Sequence, residues 1–255
     1  MIKIIISFIL LVLPFFSAAQ EVSHSNKITM HTTKRLTVKE VSFKDALPDY
    51  RQIDSMFDAS KIPFNKIDTE NWQGFDYHPM VEFRIAYSKD EIYLQYHVIE
   101  PCVKAVYGED AGSAPYKDSC LEFFCIPGSK DSIYYNLELN CIGKGTFAGG
   151  AQRTERTKFT DEVLSQIRRH STLGNEPFGI KESNAEPFEY TLTVAVPIKL
   201  YSLSQFEPLK GRTIKANFYK CGDDMPQKHY FSWNPIGTER PNFHTPQYFG
   251  ELYFE

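Results

Sequence analysis

The sequence predicts an all-β fold: an antiparallel, jelly-roll-like β-sandwich with one short helix and an irregular N-terminal extension. Three observations carry this prediction. Aromatic residues are 15% of the 255, as 20 Phe and 15 Tyr against only 2 Trp, and Phe and Tyr favour the half-buried pleated surface of a strand. Several short stretches alternate apolar and polar residues with period two, the pattern of a strand with one face on a core. Helical periodicity interrupts the strand series once, without the strand–helix alternation that a parallel sheet requires.

The chain opens with Met1-Ile2-Lys3, and an apolar run from Ile4 to Phe16 is broken only by Ser7 and Pro14. Ser17-Ala18-Ala19 places small residues where a signal peptidase reads, so residues 1–19 read as a signal peptide cut before Gln20. An uncleaved anchor is the alternative, but the run is short for a permanent bilayer span. No Cys stands at the cleavage point, which argues against a lipid anchor. The chain is therefore expected in the periplasm or outside the cell, with no stable membrane span.

Residues 20–60 read as the extension, with a short strand at 36–43 and a short helix around 50–58. The domain follows over residues 61–255. Val81, Phe83, Ile85 and Tyr87 share one face of a strand, and Lys89-Asp90 turns into a second strand whose Ile92, Leu94, Tyr96 and Val98 alternate likewise. Strands at 119–126 and 133–142 pair across Pro127-Gly128-Ser129, a strong turn signal. Strands at 189–197, 213–221 and 250–255 complete the series. The one helix in it begins at Thr160 as cap, with Asp161 and Glu162 at its positive end and Val163, Leu164 and Ile167 as its apolar stripe. No internal repeat, low-complexity tract or interdomain linker divides the chain.

With 42% hydrophobic and 24% charged residues, the chain has the composition of a globular protein rather than a disordered one. A formal net charge of −4 provides no basic surface for a nucleic-acid backbone. The five cysteines, Cys102, Cys120, Cys125, Cys141 and Cys221, are odd in number and match no zinc spacing. Small buried thiols are the expectation, with disulfides as the alternative that an oxidising compartment permits.

There is no Gly-x-Ser-x-Gly elbow, His-Glu-x-x-His or Walker loop. The glycines around Gly143-Lys144-Gly145 and Gly149-Gly150 follow a strand without opening a helix, so they read as a flexible loop. Glu122 and Glu138 are the strongest enzymatic candidates: they lie on neighbouring predicted strands, and both can project from one sheet surface. Paired carboxylates hydrolyse glycosides at a suitable separation. The alternative is structural, with the pair bound by Arg84, by loops, or by a sugar's hydroxyls.

Several segments together resemble the family 9 carbohydrate-binding modules, in their exported, stand-alone bacterial form. They are Phe83-Arg84-Ile85-Ala86 with the strand at 92–95, VKAVYGED at 103–110, and Lys117 to Phe124 (KDSCLEFF). YYNLELNCIG at 134–143, Ile167-Arg168-Arg169, ANFYKCGD at 216–223, SWNPI at 232–236 and the closing FGELYF at 249–254 continue the series. The resemblance covers residues 64–255. It implies a β-sandwich that binds sugar chain ends or oligosaccharides. It also implies two tryptophans clamping a disaccharide, and calcium supporting the fold. The two tryptophans here are Trp72 and Trp233; Trp233 falls where a clamp residue is expected, whereas Trp72 precedes the first regular strand, where an indole often plugs a core. The expectation is a stand-alone binder, or one whose task is not the module's usual targeting of an attached enzyme.

The residues themselves point the same way. A sugar needs flat aromatic surface for its C–H faces and planar polar groups for its hydroxyls. The C-terminal third concentrates both, in Asn217, Tyr219, Lys220, Trp233 and Asn234, and Tyr107 stands in another loop ahead of Pro115. Each has a structural alternative, in the core, at a strand edge or in solvent. Glu109, Asp110 and Asp118 offer hard oxygens for calcium but fit no defined calcium loop. The expected function is carbohydrate binding in glycan utilisation, without catalysis and without a required cofactor. A glycosidase built on Glu122 and Glu138 is the alternative, and a sandwich that has lost its ligand is a third reading.

Overall fold

The computed structural model describes residues 32–128, 132–183, 185–205 and 207–255. The predicted signal peptide lies outside the described residues, as does Ser129 of the predicted turn.

The chain enters through β1 (Arg35–Glu40), α1 (Tyr50–Ala59) and two short strands, β2 (Asn65–Lys66) and β3 (Thr69–Glu70). β4 (Met80–Tyr87) and β5 (Glu91–Glu100) form the predicted hairpin, and β6 (Cys102–Ala105) follows. β7 (Cys120–Ile126), β8 (Tyr134–Asn140), β9 (Gly145–Gly150) and β10 (Thr157–Lys158) make an antiparallel meander. After α2 (Asp161–Leu164) come β11 (Arg168–Ser171), β12 (Phe178–Glu182) and β13 (Phe188–Pro197). β14 (Thr213–Gly222), β15 (His229–Ser232) and β16 (Gly250–Phe254) close the chain.

These strands form one curled sheet in the order β10-β9-β8-β7-β14-β16-β1-β4-β5-β13-β11, while β6 and β12 pair separately. β1 makes the fold-over: its first four residues lie parallel to β16, and Lys39 and Glu40 lie parallel to β4. The sandwich is thus antiparallel except at this hinge strand, whose partners belong to opposite layers. Placing β1 there builds part of the predicted extension into the domain.

The alternation read from the sequence sets the faces. Phe83, Ile85 and Tyr87 of β4 and Leu94, Tyr96 and Val98 of β5 point inward. They meet Leu121 and Phe123 of β7, Leu137 and Leu139 of β8, and Phe218 of β14 in the core between the layers. Phe83 stacks on Phe218 with ring centroids 3.6 Å apart, which joins the two sheets at their middle. Burial of such rings is the main stabilising term.

α1 covers the outer face of the β4–β5–β13 layer, packing Ile53 and Phe57 on Ala86, Tyr93 and Ala195. Its N-terminus is a capping box: the Asp49 carboxylate accepts from Gln52 N at 2.9 Å, and Gln52 Oε1 accepts from Asp49 N at 2.8 Å. α2 is only four residues long, and Thr160 stands at its cap position without a side-chain cap bond; its peptide oxygen accepts from Val163 and Leu164 instead. The outer face of the other layer carries the candidate site.

Candidate functional site

On β7, β8 and β14 every second residue points away from the core. The register lays these out as a grid: Cys221, Cys120 and Asn140 on one row, Tyr219, Glu122 and Glu138 on the next, Asn217, Phe124 and Asn136 on a third. Loops from residues 233–249 and around Trp72 fold over part of this grid, where Trp72, Phe124, Tyr134, Tyr219, Phe243 and Phe249 form a second apolar cluster. Between them a cleft of about 430 Å³ stays open, with Glu122, Glu138 and Cys221 on its floor and Tyr116, Tyr230, Phe243 and His244 around them. Asp223, Asn242 and exposed Arg153 supply further polar groups.

The two carboxyls are direct cross-strand partners, a relationship that brings opposed Cβ atoms to about 5 Å. Burial, which penalises the charged form, pushes the Glu122 carboxyl well above the usual carboxylate range. It also accepts from Cys221 Sγ at 3.1 Å. Burial raises Glu138 as well, opposed by the amide of Asn136, which donates to its Oε1 at 2.8 Å. His244 is driven down to about 3 by burial and by Arg156 and Arg153, so its imidazole is neutral. It lies 3.0 Å from the Tyr134 hydroxyl. Arg156, spread over the Tyr134 ring, donates to Asn136 Oδ1 and the Tyr134 carbonyl and holds this wall in place. The cleft therefore offers neutral or hydrogen-bonding polar groups under aromatic walls.

Several residues expected here lie elsewhere. Trp233 is not displayed to solvent: it is 4% exposed, sits in the core between the layers and meets Phe83 and Phe218 edge-on. The reason is parity. Trp233 N donates to Phe218 O, which continues the β14–β15 pairing one residue beyond Ser232, so Phe231 and Trp233 point inward while Tyr230 points outward. Gly250 makes room for the indole, since a Cβ there would come within 2.4 Å of the ring.

Lys220 also points inward. It is fully buried, with Nζ 2.9 Å from Glu100 Oε2 and 2.9 Å from His229 Nε2, so it is a core ion pair and not a ligand contact. The Asn217 side chain clasps the Asn234 backbone: Asn217 Nδ2 donates to Asn234 O, and Asn234 N donates to Asn217 Oδ1. They staple the loop to β14. Arg84 lies beneath α1 on the other layer, donating to Asp58 and Gln95, so it does not pair with Glu122 or Glu138. Tyr107 lies away from the cleft lining, its backbone bonded to Asp118 and Asn140.

Two expected residues support the cleft from behind. Tyr219 is buried below Phe243, with stacked rings 4.1 Å apart. Trp72 packs against Tyr230 and Phe243, and its Nε1 donates to Thr238 O. Glu122 and Glu138 are the predicted site residues that reach the cleft itself. Tyr116, Tyr230, Phe243 and His244 were not singled out in the sequence. Only Tyr230 had a legible signal, the strand-favouring Tyr230-Phe231 pair.

The calcium candidates do not fit a hard cation. Asp110 is held bidentately by Arg169, at 2.6 and 2.9 Å, and Glu109 is exposed. Asp118 accepts from Tyr107 N and Asn140 Nδ2, and the ammonium of Lys104 lies 3.8 Å from its other oxygen. That ammonium also donates to the carbonyls of Lys117 and Asp224, and so already supplies the local positive charge. Among the described residues the five cysteines are buried and free, as expected of small core thiols.

The sequence model of carbohydrate-binding family 9 matches residues 51–254, four-fifths of the chain and every strand of the cleft floor. The chain belongs to this family. A crystal structure from Bacteroides uniformis ATCC 8492, of a protein proposed to bind carbohydrate, superposes with a TM-score of 0.82 at 39% identity, covering 88% of this chain and 100% of that one. Two structures of a family 9 module from Caldicellulosiruptor kristjanssonii share the fold at 14% identity and cover 87% of this chain. One is a complex with glucose (TM-score 0.54, 96% of that chain) and the other with cellotriose (TM-score 0.53, 94% of that chain). No curated protein matches the chain. In this family 9 domain, then, the β-sandwich is the expected one, while the residues around the cleft differ from the pair of tryptophans the resemblance implied.

Proposed function

We propose that the protein is an exported, non-catalytic carbohydrate-binding protein of glycan utilisation, holding an oligo- or polysaccharide in the cleft over β7, β8 and β14. One observation carries the reading: the side-by-side carboxyls of Glu122 and Glu138 form a floor beneath the rings of Tyr116, Tyr230 and Phe243. Paired oxygens suit a sugar's neighbouring hydroxyls, and the rings suit its C–H faces. Membership of a family of binding modules supports it, as do the glucose and cellotriose held by the C. kristjanssonii module.

Glycoside hydrolysis is the second reading, favoured by the adjacency of the same two carboxyls. Its chemistry needs them split into a protonated acid and an ionised partner. Here burial raises both, which suits hydrogen bonding better. Titration calorimetry of the folded protein against cello- and xylo-oligosaccharides tests binding, and a reducing-end assay over the same sugars tests turnover. Binding that weakens in Glu122→Gln, without turnover in either protein, is the expected result. Turnover abolished by Glu122→Gln or Glu138→Gln would establish the enzyme instead. Export is checked by the N-terminus of the native protein, expected at Gln20.

A further inference from the structure

The row at the head of the grid has a chemistry that sugar binding does not use. Cys120 and Cys221 are direct cross-strand partners on β7 and β14. Glu122 follows Cys120 by two residues, on the same face. The two sulfurs and a Glu122 carboxyl oxygen all lie within 4.8 Å of one another. Cys221 Sγ stands 3.1 Å, and Cys120 Sγ 3.8 Å, from the same oxygen, Glu122 Oε1. Glu122 and Cys221 both line the cleft, so an ion has a path in and an open side once bound.

We propose that Cys120, Cys221 and Glu122 form a binding site for a soft divalent cation, of the zinc or cadmium kind. Two sulfurs and one oxygen converging on a point, with a fourth side open, is the donor set such d10 ions select, whereas calcium and magnesium take oxygens alone. Uptake breaks the two S–H bonds as two sulfur–metal bonds form, and Glu122 binds as carboxylate. Its proton and the thiol protons pass to solvent, and no electrons are exchanged. Because the metal displaces these protons, uptake strengthens as pH rises. The site shares Glu122 with the proposed sugar floor, so the two sulfurs, which the sugar reading does not use, test it separately.

Cadmium titrated alone into the reduced full chain tests it, read by the ultraviolet thiolate-to-cadmium charge-transfer band. One cadmium per chain is expected, with the band weakened in Cys120→Ser and in Cys221→Ser. Glu122→Gln is expected to lower affinity by about tenfold or more. Absence of the band in the reduced, folded protein would overturn the proposal, as would a band that persists undiminished in the double serine variant. Should the serine variants fail to fold, X-ray absorption of the zinc-loaded natural protein decides. Two sulfur neighbours at about 2.3 Å support the site, and a shell without sulfur refutes it. A Cys120–Cys221 disulfide whose reduction restores no metal uptake refutes it equally.

Discussion

Glu122 on β7 and Glu138 on β8 stand directly opposite one another on the outer face of the sandwich, and both are almost wholly buried beneath the loops that rim the cleft. Neither has a cation of the chain as salt-bridge partner within 4 Å among the described residues. Their position has a consequence for stability. A carboxyl whose folded pKa is raised above its unfolded value of 4.5 binds its proton more tightly in the native state. Its contribution is fully present below pH 4.5 and is lost as pH rises towards the folded pKa. Each fully titrating group contributes a slope of about 1.4 kcal/mol per pH unit in that window. Glu122→Gln should flatten the decline in stability above pH 4.5, as measured by urea denaturation of both proteins across pH. A variant curve parallel to that of the natural protein would contradict this account of Glu122.

Trp233 and Tyr116 should separate folding from binding. Trp233→Ala empties a core site against Phe83 and Phe218 and is expected to cost about 3–5 kcal/mol. Tyr116 is 39% exposed at the cleft, so Tyr116→Ala should leave the melting temperature nearly unchanged. Its loss should weaken oligosaccharide binding by about 0.5–1.5 kcal/mol, if the ring stacks on the sugar. Thermal melting paired with calorimetry distinguishes the two variants, and the reverse pattern would return the site to Trp233.

The Lys220–Glu100 ion pair spans the interior from β14 to β5, and the hydroxyls of Tyr77 and Tyr190 donate to the same carboxylate. Lys220→Met leaves a buried carboxylate uncompensated and is expected to destabilise by about 3–5 kcal/mol. Adding Glu100→Gln should recover much of that loss, because the charge that lacked a partner is gone. Chemical denaturation of the single and double variants gives the coupling directly; purely additive losses would contradict it.

Gly250 begins β16 against the Trp233 ring. A methyl group there meets the indole at 2.4 Å and the Lys34 carbonyl at 2.9 Å. Overpacking of this kind costs about 1–3 kcal/mol. Gly250→Ala should therefore lower the melting temperature, and Trp233→Phe in the same chain should relieve part of the loss by shortening the ring.

Local alternation carries the longer strands, and it also sends Lys220 to the face opposite Tyr219 on β14, against the expectation that both reach a ligand. Alternation at residues 81–87 and 91–99 places Phe83, Ile85, Leu94 and Tyr96 on the core face, because strand geometry alone sends successive side chains to opposite sides. The same rule put Glu122 and Glu138 on one surface before any pairing was known. It also accounts for Trp233, once the strand at His229–Ser232 and its extension by the Trp233–Phe218 bond are seen. Without that strand, an aromatic beside Asn-Pro reads as a loop ornament.

By itself the chain settles its sandwich class, the family it resembles and the parity of its longer strands, since each of these resides in residues near one another in sequence. Which residues meet was decided only when distant segments paired. β1 joined the layers through β16 and β4, and Lys220 found Glu100 through the core. The cleft gathered Tyr116, Glu122, Tyr230 and Phe243 from four separate stretches. A side chain's facing follows from the pleat it sits on, but its neighbours follow from register between strands far apart along the polypeptide.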